Sequence, residues 1–181
     1  MELPPFAAWR FVDAVDGFEV VYARPGRLRG HTCAVEGGRP YAVTYEIAVD
    51  AAWRTRSLMV TSETLAGVRS AHLQSDGEGA WTVDGVAAPH LDGLLDVDLE
   101  ASACTNTLPV HRLEMPVGRA VTAAAVYVQA FDLVVRRLDQ TYRRLDEHRF
   151  AYTSEGGFEA VLTYDDAGLV VDYPGIAVRF A

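Results

Sequence analysis

Tyr41-Ala42-Val43-Thr44-Tyr45-Glu46-Ile47-Ala48-Val49 sets Tyr41, Val43, Tyr45, Ile47 and Val49 on one side of an extended chain, and Ala42, Thr44, Glu46 and Ala48 on the other. A period of two is the mark of a strand buried on one face. The alternation recurs in Phe18-Val20-Tyr22, Leu95-Val97-Leu99, Phe158-Ala160-Leu162-Tyr164 and Ile176-Val178-Phe180, and each apolar set is expected to face the core. Between such runs stand Glu36-Gly37-Gly38-Arg39, Asp76-Gly77-Glu78-Gly79, Asp84-Gly85, Glu155-Gly156-Gly157 and Asp165-Asp166-Ala167-Gly168. These stretches supply the positive-φ positions of tight antiparallel connections. With no βαβ rhythm, repeat or linker, the pattern predicts a mainly β, single-domain antiparallel roll or barrel-like sheet over residues 1–181, with one or two short helices.

Two segments depart from the alternation. Thr105-Asn106-Thr107-Leu108-Pro109 joins a polar capping cluster to a proline suited to a first helical turn, and predicts a short helix through about Leu113. Phe131, Val134 or Val135, Leu138, Tyr142 and Leu145 follow helical spacing, with Arg136, Arg137, Gln140, Arg143 and Arg144 opposite; periodicity alone leaves helix and strand open over residues 131–145. The run from Ala120 to Val128 reads as strand.

Half of the 181 residues are hydrophobic, enough for one substantial core and too many for a disordered chain. The formal net charge of −9 disfavours nucleic acid or an anionic membrane as a general partner, because both reward clustered cations, and leaves room only for local basic patches. Met1-Glu2-Leu3-Pro4-Pro5-Phe6 lacks the basic start and apolar run of a secretory signal, and no stretch reaches a membrane span, so a cytoplasmic location is expected. Cys33 and Cys104 are too few for a disulfide framework or zinc site and are expected as two small buried hydrophobes.

No phosphate loop, nucleophile elbow or metalloprotease pair occurs, and His31, His72, His90, His111 and His148 are dispersed. No metal, cofactor or catalytic residue is therefore expected. Cys104 and His111 could form a nucleophile and base only with partners that sequence does not reveal. Asp96 and Asp98, two apart on a strand, are either an acid–base pair on one face or a solvated face opposite Leu95, Val97 and Leu99. In Trp53-Arg54-Thr55-Arg56-Ser57-Leu58-Met59-Val60, a single strand would put Arg54 and Arg56 on the face of Leu58 and Val60, lining a ligand cavity or snorkelling into water.

Leu91-Asp92-Gly93-Leu94-Leu95-Asp96-Val97-Asp98-Leu99 and Thr105-Asn106-Thr107-Leu108-Pro109-Val110-His111-Arg112-Leu113, taken with Trp53-Arg54-Thr55-Arg56, Gly79-Ala80-Trp81, Gln140-Thr141-Tyr142 and Asp166 to Gly175, resemble the bacterial "putative glycolipid-binding" family, long catalogued as a domain of unknown function. The sequence departs from that pattern at Ser102-Ala103-Cys104, where Ser-Pro-Phe is expected, and at His111, where Arg is expected. The resemblance implies a spiralling β-roll similar in architecture to bacterial lipoprotein carriers, favours strand over residues 131–145, and carries no catalytic residue. Its glycolipid label rests on fold analogy.

The resulting expectation is a non-enzymatic carrier or sensor of an amphiphile, a lipid or glycolipid whose apolar group lies inside a curved sheet. Arg54, Arg56, Asp96, Asp98, Asn106, Arg112, Gln140 and Tyr142 are the candidate ligand-binding residues, although Thr105 and Asn106 could equally cap the short helix. Two rivals remain: an enzyme of unknown reaction in a cleft around Asp96 and Asp98, and a protein-interaction module using a sheet edge or exposed apolar patch. The sequence does not set the oligomeric state.

Overall fold

The computed structural model describes residues 3–13 and 15–181, so the reading of Met1 and Glu2 lies outside it. Six strands form an antiparallel meander: β1 (Phe6–Phe11), β2 (Val15–Arg24), β3 (Arg27–Glu36), β4 (Arg39–Val49), β5 (Thr55–Thr64) and β6 (Gly67–Ser75). The short strands β7 (Trp81–Val83) and β8 (Val86–Ala87) close its far edge, the tight turn at Asp84 and Gly85 (φ 50° and 79°) following from the Asp-Gly pair. The middle of the chain carries β9 (Asp96–Leu99), a 3₁₀ turn at Cys104–Asn106, helix α1 (Thr107–Arg112), β10 (Ala120–Thr122), β11 (Ala125–Val128) and β12 (Val135–Leu138). A second meander follows, comprising β13 (Gln140–Arg144), β14 (Arg149–Ser154), β15 (Phe158–Tyr164), β16 (Val170–Tyr173) and β17 (Ala177–Arg179).

The two meanders join where β17 pairs with β1, giving one 14-stranded antiparallel sheet that runs from β10 to β8. The architecture is mainly β with one short α-helix, and residues 131–145 are strand and turn. Helical spacing in that segment lost to strand pairing, with Gln140 to Arg144 matched against Ser154 to Phe150.

Among the described residues the inside of the first meander is filled by the chain itself rather than left as a hollow. Residues from Ala88 to Leu108 and from Val126 to Leu133 fill the concave side of the first meander, and Leu91, Leu94, Val97, Ala103, Leu108 and Val126 share one core with Trp9, Leu28, Tyr45, Ile47 and Leu58, whereas Met115 and Ala123 pack with the second meander. The filling segment contains a small second sheet, β12-β11-β9, in which β9 and β11 are parallel. Its apolar face (Val97, Leu99, Val126, Val128) is buried against the first meander, so the face bearing Asp96 and Asp98 looks towards the second.

Inward-facing polar side chains latch this segment in place by satisfying its backbone. Thr32 Oγ1 donates to the Ala101 carbonyl at 2.6 Å, Ser62 Oγ to that of Ala130 at 2.5 Å, and Trp81 Nε1 to that of Leu94 at 2.8 Å. Each removes an unpaired carbonyl from a site water cannot reach.

The face assignment holds for β4 and fails for two other strands. Tyr41, Val43, Tyr45 and Ile47 are buried as expected. Phe18, Val20 and Tyr22, however, point outward from β2, and the inward set is Gly17, Glu19, Val21 and Ala23. Val178 and Phe180 are likewise outward, because Ala177 takes the buried position. The inward side of β2 carries instead the polar network around Glu19, with Val21 buried beside it. Cys104 is buried as expected, but Cys33 lies on the outward face of β3 and is exposed.

Candidate functional site

Glu19 is fully buried. Tyr45 Oη donates to its Oε1 at 2.6 Å, and the Ala103 and Cys104 amides donate to its Oε2 at 2.9 and 3.3 Å, tying β2 to the 3₁₀ turn that opens at Cys104. The Tyr45 ring lies directly over Gly30 of β3, where a Cβ would overlap the ring atoms. Burial pushes the Glu19 carboxyl up from 4.5 to about 6, against hydrogen bonds from Ser102, Tyr45 and the two amides that pull it down.

Because the folded state binds this proton more tightly than the unfolded chain, its stabilisation is full below about pH 4.5 and is lost as the pH rises through about 6. The difference is about 2 kcal/mol. Urea unfolding of the wild type and Glu19→Gln across that window should show this slope in the former and its loss in the latter.

Six of the eight candidate residues meet between the small sheet and the second meander. Arg112, at the end of α1, grips the buried Asp96 carboxylate with two bonds of 2.8 and 2.6 Å. Asp98 accepts from Thr105 Oγ1 at 2.8 Å on one oxygen and from Gln140 Nε2 on the other. Tyr142, also buried, donates to Asn106 Oδ1 at 2.8 Å, and Tyr164 donates to the Asn106 carbonyl at 3.2 Å. Neither Thr105 nor Asn106 caps the helix: Asn106 makes no capping bond, and Thr105 is engaged by Asp98 and the Ser102 carbonyl. Asp96 and Asp98 share a face, but not a solvated one, since Asp96 is 1% exposed.

Arg54 and Arg56 lie elsewhere. A bulge sets Val49 against Thr55 and Ala48 against Ser57, so Thr55 turns inward and Arg56 outward, off the face of Leu58 and Val60. Arg54 binds Asp50 at 2.8 Å, and Arg56 reaches the Ser75 carbonyl at 3.3 Å. Cys104 and His111 do not make a dyad: the thiol is buried with its pKa raised by desolvation, whereas His111 stacks on Trp53 at 3.9 Å and contacts the Ala167 carbonyl at 2.9 Å. Burial holds the imidazole below its usual range.

Above Asp98 a cleft of 370 Å³ opens at the junction of the two meanders. One wall is a triangle of rings, Tyr152, Phe158 and Tyr173, packed edge to face with centroids 5.9 to 6.1 Å apart. The opposite wall carries Glu36, Glu100, Tyr41 and Tyr127. Four carboxylates, of Glu36, Asp98, Glu100 and Glu155, line the cleft against one cation, Arg136. That cation is bound to Glu155 at 2.9 Å and lies over the Tyr127 ring. Desolvation raises the Asp98 pKa, the hydrogen bonds from Thr105 and Gln140 oppose it, and the neighbouring Asp96 and Glu100 charges add to it.

The ring triangle, Glu100 and Glu19 escaped the sequence reading. A signal existed for the rings, because Tyr142, Tyr152, Tyr164 and Tyr173 place one tyrosine on the inner face of each strand from β13 to β16. A signal also existed for Tyr45, which binds Glu19: a glycine inside a strand, here Gly30, marks close approach of another group.

A larger concavity of 620 Å³ lies at the other end of the first meander, between the turn at Arg24–Arg27 and Trp53. It is separated from the cleft by the length of β3, roughly 30 Å. The cleft, where buried polar groups converge, is the stronger candidate. Among the described residues no group of three or more His, Cys, Asp or Glu is placed to hold a metal, and no helix is long and apolar enough to cross a membrane.

Residues 7–179 match the family described as "Putative glycolipid-binding". No curated protein matches the chain. A crystal structure of a DUF1089 family protein from Pseudomonas aeruginosa is 36% identical, with a TM-score of 0.87 over 95% of each chain. With nearly its whole length matched, the chain belongs to the "Putative glycolipid-binding" family.

Proposed function

We propose that the junction cleft holds the polar head of an amphiphile rich in hydroxyl or amine groups, and that the protein is a non-enzymatic carrier or sensor of that ligand. The observation that carries this reading is Asp98. Its carboxylate stands on the cleft wall, braced by Thr105 and Gln140, with no cation paired to it among the described residues. An ionised carboxylate has about four acceptor positions, so two stay available for ligand donors. The facing ring triangle offers the flat apolar surface that sugar C–H groups pack against.

Two features set the ligand class. The excess of carboxylates over Arg136 repels phosphate and sulfate heads. The volume lies at the lower end of small-ligand pockets, roughly 300–1,000 Å³, so the cleft takes a head and the start of its chain. Phe11, Val12 and Ile176 in the cleft lining offer the apolar contact for that start.

Calorimetric titration with octyl glucoside below its micellar concentration tests this. Wild type should bind, and Asp98→Ala should lose about ten- to a hundredfold in affinity, the worth of roughly 1.5–3 kcal/mol for hydrogen bonds to a charged group. Binding should also weaken as acid protonates Asp98, and octyl phosphate should not compete. Equal affinity of wild type and Asp98→Ala would exclude the cleft as the head site.

A further inference from the structure

We propose that the outer face of β17, β1, β2 and β3 docks on an anionic lipid bilayer. The proposal rests on the reading of the cleft as an amphiphile site, since a carrier must meet a bilayer to collect its ligand.

The two apolar sets that face outward, Phe18-Val20-Tyr22 and Val178-Phe180, are brought side by side by β1. Phe6 is opposite Tyr22, Ala8 opposite Val20, and Arg10 lies between Phe18 and Val178. Phe180 donates its amide to the Ala8 carbonyl at 2.9 Å. The result is one patch in which Phe6, Phe18, Tyr22 and Phe180 are 50, 48, 53 and 62% exposed. Phe6 and Tyr22 are direct cross-strand neighbours, and Phe18 and Phe180 flank them across Val20 and the buried Ala8; rings of this kind settle at the boundary of headgroups and acyl chains.

Charge identifies the partner. The chain as a whole carries 25 acidic and 16 basic residues. On the outward positions of β1, β2 and β3 the balance reverses: Arg10, Arg24, Arg27 and Arg29 stand against Asp16. Of these arginines only Arg27 is held by a carboxylate, Glu46, among the described residues. A patch that mixes rings with arginines complements anionic headgroups, and the long arginine stems can lie along the apolar layer while their heads reach phosphate. A second copy of the chain fits worse, because a two-fold contact through this face would set arginines against arginines.

Vesicle co-sedimentation tests the proposal, using phosphatidylcholine alone and phosphatidylcholine with a minority of phosphatidylglycerol. Wild type should bind the phosphatidylglycerol vesicles and release as salt is added. Phe18→Ser/Tyr22→Ser and Arg10→Glu/Arg29→Glu should each weaken that binding about tenfold or more. Octyl glucoside binding should be unchanged in both variants, and their circular dichroism and thermal midpoints should match wild type, which reports that they are folded. Wild type that ignores the charged vesicles, or variants that bind them as well as wild type, would overturn the docking face. A wild-type dimer by light scattering that Phe18→Ser/Tyr22→Ser splits into monomers would overturn it in favour of self-association. Vesicle binding that obeys these rules while octyl glucoside fails to bind would support the docking face and remove the cleft reading alone.

Discussion

Arg112→Ala is expected to destabilise the fold by about 3–5 kcal/mol, the cost of leaving a buried carboxylate without its partner. Asp96 is 1% exposed and Arg112 holds both of its oxygens at 2.6 to 2.8 Å. The pair clamps α1 to the small sheet, so its loss also loosens the 3₁₀ turn that brings Asn106 to the cleft lining and Thr105 to Asp98. Burial alone already raises the Asp96 pKa, and Arg112 is what opposes that rise. The variant should therefore recover stability in acid, where Asp96 takes up a proton, and Asp96→Asn in the same background should recover much of it at neutral pH. Chemical denaturation of the three proteins at two pH values checks this. A loss in Arg112→Ala that neither acid nor Asp96→Asn relieves would mean that packing, not the uncompensated charge, was removed.

Gly30→Ala, ordinarily a mild change in a strand, should cost about 3 kcal/mol here, at the upper end of the usual penalty for overpacking. The added methyl would occupy the space of the Tyr45 ring, and that ring cannot swing away without breaking its bond to Glu19. Moving it would also release Glu19 from the hydroxyl that helps keep a buried carboxylate tolerable. Thermal unfolding should show a large fall in midpoint, whereas Gly37→Ala, at a turn where nothing lies within 4 Å, should show only the smaller backbone strain of its positive φ. Tyr45→Ala in the Gly30→Ala background makes room for the methyl, so the two substitutions should cost less than the sum of their separate effects.

The hairpin order was legible because each turn announces itself locally. Asp84-Gly85 and Gly156-Gly157 lie at the positive φ values that their residue types favour, and the strands between such turns pair in sequence. The motif pair around Asp98 and Thr105 was legible as a pair, and the structure puts Thr105 Oγ1 2.8 Å from Asp98. What alternation cannot decide is which of two faces is inside. In β2 the inward face is the one whose Glu19 carboxylate accepts from the amides of Ala103 and Cys104, 84 and 85 positions away. The same limit applies to the interior: nothing local to Val97 or Val126 says that these residues fill the sheet that earlier strands curl, because that contact depends on long-range packing. Arg56 turned outward for a smaller reason, a single bulge that shifts the period of two by one residue.

The direct test of the cleft as the seat of an amphiphile is native mass spectrometry of the protein purified from its own host, paired with Asp98→Ala prepared in the same way. Wild type should carry one amphiphile, with a hydroxyl- or amine-bearing head and no phosphate, and Asp98→Ala should arrive bare. A bare wild type, or an adduct that Asp98→Ala retains in full, would contradict the account.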